Sequence, residues 1–302
     1  MAIPVLALAC ALLYQGPVAT PHKFDEAKAW NWLLKQCEIG PRFPGSPGQI
    51  ECRDLILAET KKYCTNVSLQ PFSHTWSRNG KKYDMWNVIG YQNWDTATTR
   101  IVLLTHWDTR PSADMEREEK NQRKPIIGAS DGASGTAVLL ELMRHTKDVP
   151  KSLGICYLFV DGEDLGPGLN EMFLGAVHYS KNIPKPRPNY GVLLDMVGDK
   201  DLRIPIEPNS YRLAKDVTLA LYRHAKAIKM EDTFPMEYGD EIYDDHLALN
   251  EAGIPTVDLI DFTYEPWHTL RDTPENCSAA SLGKVGRFLE SWLMQPEPWK
   301  PK

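Results

Sequence analysis

Histidine and carboxylate side chains follow five apolar segments of this chain, at the point where each segment ends. The segments are 101–105, 126–127, 153–160, 191–194 and 256–260. The polar residues after them are, in the same order, His106 and Asp108, then Asp131, then Asp161, Glu163 and Asp164, then Asp195, then Trp267 and His268. A single histidine is usually an ordinary core or surface residue, but five such segments in one chain indicate a shared site.

The chemistry that suits these residue types is that of zinc. A catalytic Zn²⁺ site uses about three imidazole or carboxylate ligands and leaves one position open for water or substrate. The adjacent pair Glu163 and Asp164 suggests a division of roles, in which one carboxylate binds the metal and the other moves protons.

Two further carboxylates could orient the imidazoles from behind. Asp108 lies two residues after His106, and Asp272 lies four residues after His268. For Asp272, a turn or helix cap before Pro274 is an equal alternative.

The elements that must position these residues alternate between strands and helices. Apolar or β-type runs predict strands at 67–72, 85–91, 101–105, 153–160, 191–194 and 256–260. Apolar stripes at helical spacing predict helices at 24–37, 49–63, 133–145, 211–228 and 282–293. This alternation predicts a single α/β domain with a mixed, mainly parallel twisted sheet and helices on both faces. In such sheets ligands bind at the carboxyl ends of the strands, where the polar residues are.

Length and composition limit the alternatives. The chain has 302 residues, of which 42% are hydrophobic and 25% charged, as expected of a globular protein with a substantial core. The net charge of −6 provides no excess of basic residues, so we expect no nucleic-acid partner.

Residues 3–14 are almost wholly apolar, which is the length of a signal-peptide core and too short to span a bilayer. We therefore expect 1–20 to be an export segment, 21–302 to be the functional domain, and no membrane span.

The six cysteines show no C-x-x-C pair, which argues against a zinc–thiolate site. If the protein is exported, Cys37, Cys52 and Cys64 could supply one disulfide.

Several motifs together resemble one known family. They are THWDTRP at 105–111, SDGASGTAVLLE at 130–141, DGED at 161–164, LLDMVG at 193–198, DDH at 244–246 and WHT at 267–269. These segments are similar to those of the zinc metallopeptidases of family twenty-eight. With the loop GPRFPGSPG at 40–48, they look most like its glutaminyl-peptide cyclotransferase branch in the bacterial form, over about residues 24–293.

The resemblance implies a role for each matching position. Asp131, Asp164 and His268 match the ligands of a single zinc ion, and Glu163 matches the general acid/base. Asp195 and Asp245 match two acids near it, Trp267 a wall of the substrate pocket, and His106 and His246 residues that would contact substrate. The implied activity converts the free N-terminal glutamine of a peptide or protein to pyroglutamate.

Two other functions stay open. In aminopeptidases of the family, His106 and Asp195 would complete a second zinc site with Asp131 as the bridge. The third possibility is a non-catalytic binding domain on the same fold.

Five carboxyl groups around one Zn²⁺ carry more negative charge than the ion offsets, so at least one should hold a proton.

The chain also departs from the animal cyclases. Position 164 is Asp instead of Glu, and it is open whether Phe262 or Tyr264 faces the substrate.

Overall fold

A computed structural model describes residues 23–295 of the chain. The expected export segment 1–20 and the proline-rich tail at 296–301 lie outside the described residues. Within the described part of the chain, no helix is long and apolar enough to cross a membrane.

The core of the fold is a six-stranded sheet with the order β1-β2-β4-β3-β5-β6. The strands are β1 (Thr65–Thr75), β2 (Lys82–Gln92), β3 (Thr99–His106), β4 (Leu153–Val160), β5 (Tyr190–Asp195) and β6 (Thr256–Ile260). Strands β4, β3, β5 and β6 pair in parallel, whereas β1 and β2 form an antiparallel edge. The prediction of a single α/β domain with a mixed, mainly parallel sheet is confirmed.

Eight α-helices surround this sheet in the described residues. They are α1 (Glu26–Ile39), α2 (Pro47–Tyr63), α3 (Ala133–Leu142), α4 (Leu174–Lys181), α5 (Pro208–Leu213), α6 (Lys215–Ala227), α7 (Asp245–Glu251) and α8 (Ala279–Leu293). Side chains on alternate positions of a strand point to opposite faces of the sheet, so each face has its own core. Leu103 packs with residues of α1, α3 and α8, and Leu104 packs with residues of α4 and α7.

The helix predicted at 211–228 is confirmed over α6 but is not continuous, because the structure divides this stretch between the end of α5 and α6. The backbone leaves the helical conformation at Ala214, and the Thr218 hydroxyl donates to the carbonyls of both Ser210 and Ala214. The short helices α4 and α7 have no predicted counterpart. Helices of seven or eight residues are too short to show a helical apolar period clearly.

The described cysteines are all free thiols, so the disulfide considered for Cys37, Cys52 and Cys64 is not formed. The Cys52 sulfur faces Gln36 at 4.0 Å, and the Cys64 sulfur lies 3.5 Å from the sulfur of Met143.

Candidate metal centre and active site

The parallel strands bring the polar residues to one edge of the sheet. His106 is the last residue of β3 and Asp195 is the last residue of β5. The segment 161–164 follows β4, and the loop after β6 carries His268. Because these strands run in the same direction, their carboxyl ends meet, and residues distant in the chain become neighbours.

Asp131, Asp164 and His268 form the first candidate metal site. His268 Nε2 lies 3.5 Å from Asp131 Oδ2 and 3.3 Å from Asp164 Oδ1, and all three side chains are buried. Ligands about 2.0–2.2 Å from a tetrahedral Zn²⁺ are separated by roughly these distances. Asp131 Oδ2 and Asp164 Oδ2 are also buried without a hydrogen-bond partner. These residues therefore fit a metal ion, which would satisfy both oxygens.

His106, Asp131 and Asp195 form a second candidate site that shares Asp131 with the first. His106 Nε2 lies 3.2 Å from Asp131 Oδ1 and 3.1 Å from Asp195 Oδ1, which is within hydrogen-bond distance. The two oxygens of Asp131 thus face two different imidazoles. In this second site His106 Nε2 and the Asp195 carboxylate are hydrogen-bonded to each other. In the first site, by contrast, Asp131 Oδ2 and Asp164 Oδ2 have no hydrogen-bond partner.

Asp131 is held from behind by Asp272, whose carboxylate accepts hydrogen bonds from the backbone N–H groups of Ser130 and Asp131 at 2.8 and 3.2 Å. The interpretation of Asp272 as the residue that orients His268 is therefore wrong. Sequence proximity suggested the imidazole, but the side chain points to the loop before α3.

Gly132 follows Asp131 with φ +100°, and a Cβ there would lie 2.4 Å from the Asp108 carbonyl. Only glycine allows the chain to pass this close to the end of β3.

Asp108 connects the segment after β3 to the segment after β4. Its carboxylate accepts hydrogen bonds from the backbone N–H groups of Glu163 and Asp164 at 3.1 and 3.2 Å, and it lies 3.6 Å from His106 Nδ1. This position agrees with the expected orienting role toward His106. Burial opposes a charged His106 ring, but the neighbouring carboxylates of Asp108, Asp131 and Asp195 outweigh it and raise the pKa of His106.

Glu163 lies beside both candidate sites, with Oε2 3.7 Å from His106 Nδ1. Burial raises the pKa of Glu163 well above its usual range, and the charges of Asp164, Asp244 and Asp245 raise it further. Burial likewise raises the pKa of Asp245 to about 8. The expectation that one carboxyl of this crowded site holds a proton at neutral pH fits Asp245, and the pKa of Glu163 is shifted in the same direction.

Asp245 begins α7 and is fully buried, and neither of its oxygens has a hydrogen-bond partner. His246, expected to contact substrate, is also fully buried, with Nε2 3.3 Å from Glu207 and Nδ1 3.7 Å from Asp258. A side chain with no accessible surface cannot touch a substrate directly. We therefore correct the role of His246 to one inside the fold.

Trp267 stacks on His268 with the ring centroids 3.9 Å apart. The Phe262 ring also contacts Trp267, with the two centroids 5.0 Å apart. Phe262 is partly exposed, whereas Tyr264 is buried and donates a hydrogen bond to Asp272. Phe262 is the more exposed of the two, whereas Tyr264 lines the groove beside Trp267. A groove of about 630 Å³ adjoins Trp267 and is also lined by Met115, Glu116 and Arg271.

Three residues near the site were missed by the sequence analysis. Arg42 is buried and donates only to backbone carbonyls, including those of Trp107 and Gly128. Arg110 donates to Asp164 at 2.6 Å, and Asp114 lies 3.3 Å from His268 Nδ1. The motifs GPR and THWDTRP contain both arginines, but sequence spacing carries no information about such contacts.

The fold is zinc exopeptidase-like, and it carries a buried Asp, Asp and His cluster at the carboxyl edge of its mixed sheet. The model of peptidase family M28 matches residues 87–293, and the chain belongs to this family.

Known relatives include both cyclases and a peptidase. The crystal structure of Bacteroides thetaiotaomicron glutaminyl cyclase bound to N-acetylhistamine is similar with a TM-score of 0.85 and 32% identity, over 90% of this chain and 98% of that one. The structure of a leucine aminopeptidase precursor from the same organism has a TM-score of 0.84 and 31% identity, over 90% and 97% of the two chains. Glutaminyl-peptide cyclotransferase of Bos taurus is 24% identical over 84% of this chain and 78% of its own.

Proposed function

We propose that this protein is a zinc-dependent glutaminyl-peptide cyclotransferase that converts the N-terminal glutamine of peptides or proteins to pyroglutamate. The observation that carries this proposal is the buried carboxyl of Glu163, 3.7 Å from His106 and next in sequence to a ligand of the first metal site. Similarity to cyclases from two distant organisms supports it.

In the proposed reaction, the free α-amine of the glutamine attacks its own side-chain amide carbon. A carbon–nitrogen bond forms, the five-membered lactam closes, and the bond to the amide nitrogen breaks to release ammonia. The amine loses one proton and the departing nitrogen gains one, so a single carboxyl group can accept the proton and return it. Holding both groups within one substrate in a near-attack geometry lowers the barrier further.

Asp131, Asp164 and His268 would hold the zinc ion, which when bound supplies a Lewis acid for the amide carbonyl. Glu163 would carry the proton between the two nitrogens. Burial raises the pKa of Glu163, which is the direction that a carboxyl group needs in order to act as a general acid at neutral pH.

Asp195 and Asp245 support Glu163 in this proposal. Asp195 keeps a small exposed fraction of 9%, whereas Asp245 has none, so we place Asp245 behind Glu163 as a positioning residue and not on the substrate. Trp267, stacked on His268, would form the apolar wall of the substrate pocket.

A zinc aminopeptidase is the second candidate, and the position of Asp131 favours it. Its two oxygens face His106 and His268, as a bridge between two metal ions would require. The similarity to a leucine aminopeptidase precursor supports the same function.

The two functions differ in their products. Purified protein is incubated with a peptide that begins with Gln and one that begins with Leu, and the masses of both are followed. The cyclase proposal expects loss of ammonia from the first peptide and no change in the second. Removal of the first residue from either peptide would establish the peptidase instead, and no change in either would refute both enzymatic functions. Zinc analysis is expected to find one ion per chain for the cyclase and two for the peptidase.

Glu163→Gln tests the proton-transfer role. The amide cannot accept and return the proton, so we expect turnover to fall by about 10²–10⁴-fold with zinc retained. Glu141→Gln is the matched control, because Glu141 of α3 is also fully buried but pairs with Arg144 and His145, which follow this helix. Wild-type turnover in Glu163→Gln would remove Glu163 from this role.

A further inference from the structure

Two candidate zinc ligands from different parts of the chain are held by one loop. We call residues 110–116, between β3 and α3, the support loop. Its Arg110 donates a hydrogen bond to Asp164 Oδ1 at 2.6 Å. At its other end, Asp114 Oδ1 lies 3.3 Å from His268 Nδ1, and the Met115 N–H donates to the His268 carbonyl at 3.2 Å.

Arg110 and Asp114 also fix each other. The guanidinium donates to the Asp114 carboxylate through Nε at 3.0 and 3.1 Å and through Nη2 at 2.7 Å. The side chain of Arg110 is only 5% exposed. A Cβ at Gly166 would lie 2.6 Å from Arg110 Nη1, so the backbone after β4 packs directly on the guanidinium. The arginine therefore has little room to adopt another rotamer.

The support loop is needed because His268 has an unfavourable backbone conformation. Its φ of +53° lies in the left-handed region, which residues other than glycine adopt only when surrounding contacts hold them there. The contacts to Asp114 and to the Met115 N–H, together with the stacked Trp267 ring, are such contacts.

The position of Asp114 also selects the ring nitrogen that faces the metal site. A carboxylate beside Nδ1 keeps the proton on that nitrogen, which leaves the lone pair of Nε2 directed at Asp131 and Asp164. On the ligand carboxylate, Arg110 occupies Asp164 Oδ1 and leaves Oδ2 without a partner.

We propose that Arg110 and Asp114 are positioning residues of the metal centre, which orient His268 and Asp164 and thereby set the affinity and the coordination geometry of zinc. This inference rests on the proposed zinc site but not on the reaction that the site catalyses. The pair has the orienting role that was one of two alternatives for Asp272, and it contacts two ligands where Asp272 would have contacted one.

The first experiment measures zinc affinity in metal-depleted full-length protein, by competition with a chromophoric chelator. We expect Asp114→Ala to bind zinc about 10–100-fold more weakly than wild type. Asp114→Asn should lie between the two, because the amide oxygen still accepts the Nδ1 hydrogen bond without the charge. Asp54→Ala is the control, since Asp54 pairs with Arg53 on the exposed surface, and its zinc affinity should be unchanged.

The second experiment replaces zinc with Co²⁺ and records the visible absorption spectrum, which depends on coordination geometry. Arg110→Lys keeps the charge but cannot hold Asp164 and Asp114 at once, so we expect a changed spectrum. Circular dichroism of the metal-free variants checks that they fold. If the Ala variant does not fold, the Asn variant decides the question.

Unchanged zinc affinity and an unchanged cobalt spectrum in folded variants would overturn the inference and leave the cyclase proposal intact. A wild-type protein that binds no zinc would overturn both.

Discussion

Replacement of Arg42 tests how much its hydrogen bonds stabilise the fold around the candidate metal sites. The side chain is fully buried and donates hydrogen bonds to five backbone carbonyls. The acceptors belong to the end of α1 and the turn after it, to the residue after β3, and to the loop before Asp131. They are Gln36, Gly40, Trp107, Ile127 and Gly128. One guanidinium thus connects three segments around the candidate metal sites.

We expect Arg42→Lys to lower the free energy of unfolding by about 2–4 kcal/mol. An ammonium group has three N–H donors for the five carbonyls, so at least two buried carbonyls lose their donor. Each loss costs about 1–3 kcal/mol when nothing replaces the partner. The Gly128 carbonyl also accepts from the Ala133 N–H at 3.2 Å, which limits the cost and favours the lower part of the range. Arg42→Met should cost more, since no donor remains.

The assay is urea unfolding followed by tryptophan fluorescence, in the presence of a chelator so that metal binding adds nothing to stability. Arg271→Lys serves as the control, because the Arg271 side chain is about half exposed and pairs with Glu265 on the surface, so its replacement should change stability by less than about 0.5 kcal/mol. A change below about 1 kcal/mol for Arg42→Lys would refute the reasoning, because the hydrogen-bond fork would then not be what links the three segments.

Gly132→Ala should lower the free energy of unfolding by at least about 2 kcal/mol, since backbone strain adds to the contact at 2.4 Å with a backbone carbonyl. In urea unfolding, Gly253→Ala measures the backbone strain alone, because Gly253 has φ +80° and an added Cβ would have no atom within 4 Å. If both variants lose the same free energy of unfolding, the contact with the Asp108 carbonyl has no cost. Glu207→Gln tests a pH dependence: burial raises the pKa of Glu207, but hydrogen bonds from His246 and two backbone N–H groups outweigh it and lower the pKa from 4.5 to about 2. A lowered pKa stabilises the fold by roughly 3 kcal/mol above pH 4.5, and this is lost as the pH falls toward 2. Urea unfolding between pH 7 and pH 3 should therefore show the largest wild-type advantage at neutral pH and a smaller one in acid, and a constant difference would contradict this.

The alternation of apolar runs with apolar stripes at helical spacing was sufficient to predict the fold class. A buried parallel strand must be apolar on both faces, so β3, β4 and β6 are visible as uninterrupted runs, and β4 and β6 begin and end where predicted. The same logic identified His106, Asp195 and His268 as neighbours, because the carboxyl ends of parallel strands must meet. The same reasoning did not predict the short helices. Helix α7, which carries Asp245, has no apolar period to detect.

Which groups support the site was decided only by the tertiary structure. Asp272 is four residues from His268 yet holds the backbone of Asp131, whereas Asp114 reaches His268 from 154 positions earlier in the chain. His246 adjoins Asp245 in sequence but is enclosed between Glu207 and Asp258. Irregular loops have no period from which side-chain direction can be deduced, and hydrogen bonds depend on distances of a few tenths of an ångström. The sequence by itself determined the sheet and the chemical types at its edge, and the packing of the loops determined which of those groups are free to bind a metal or a substrate.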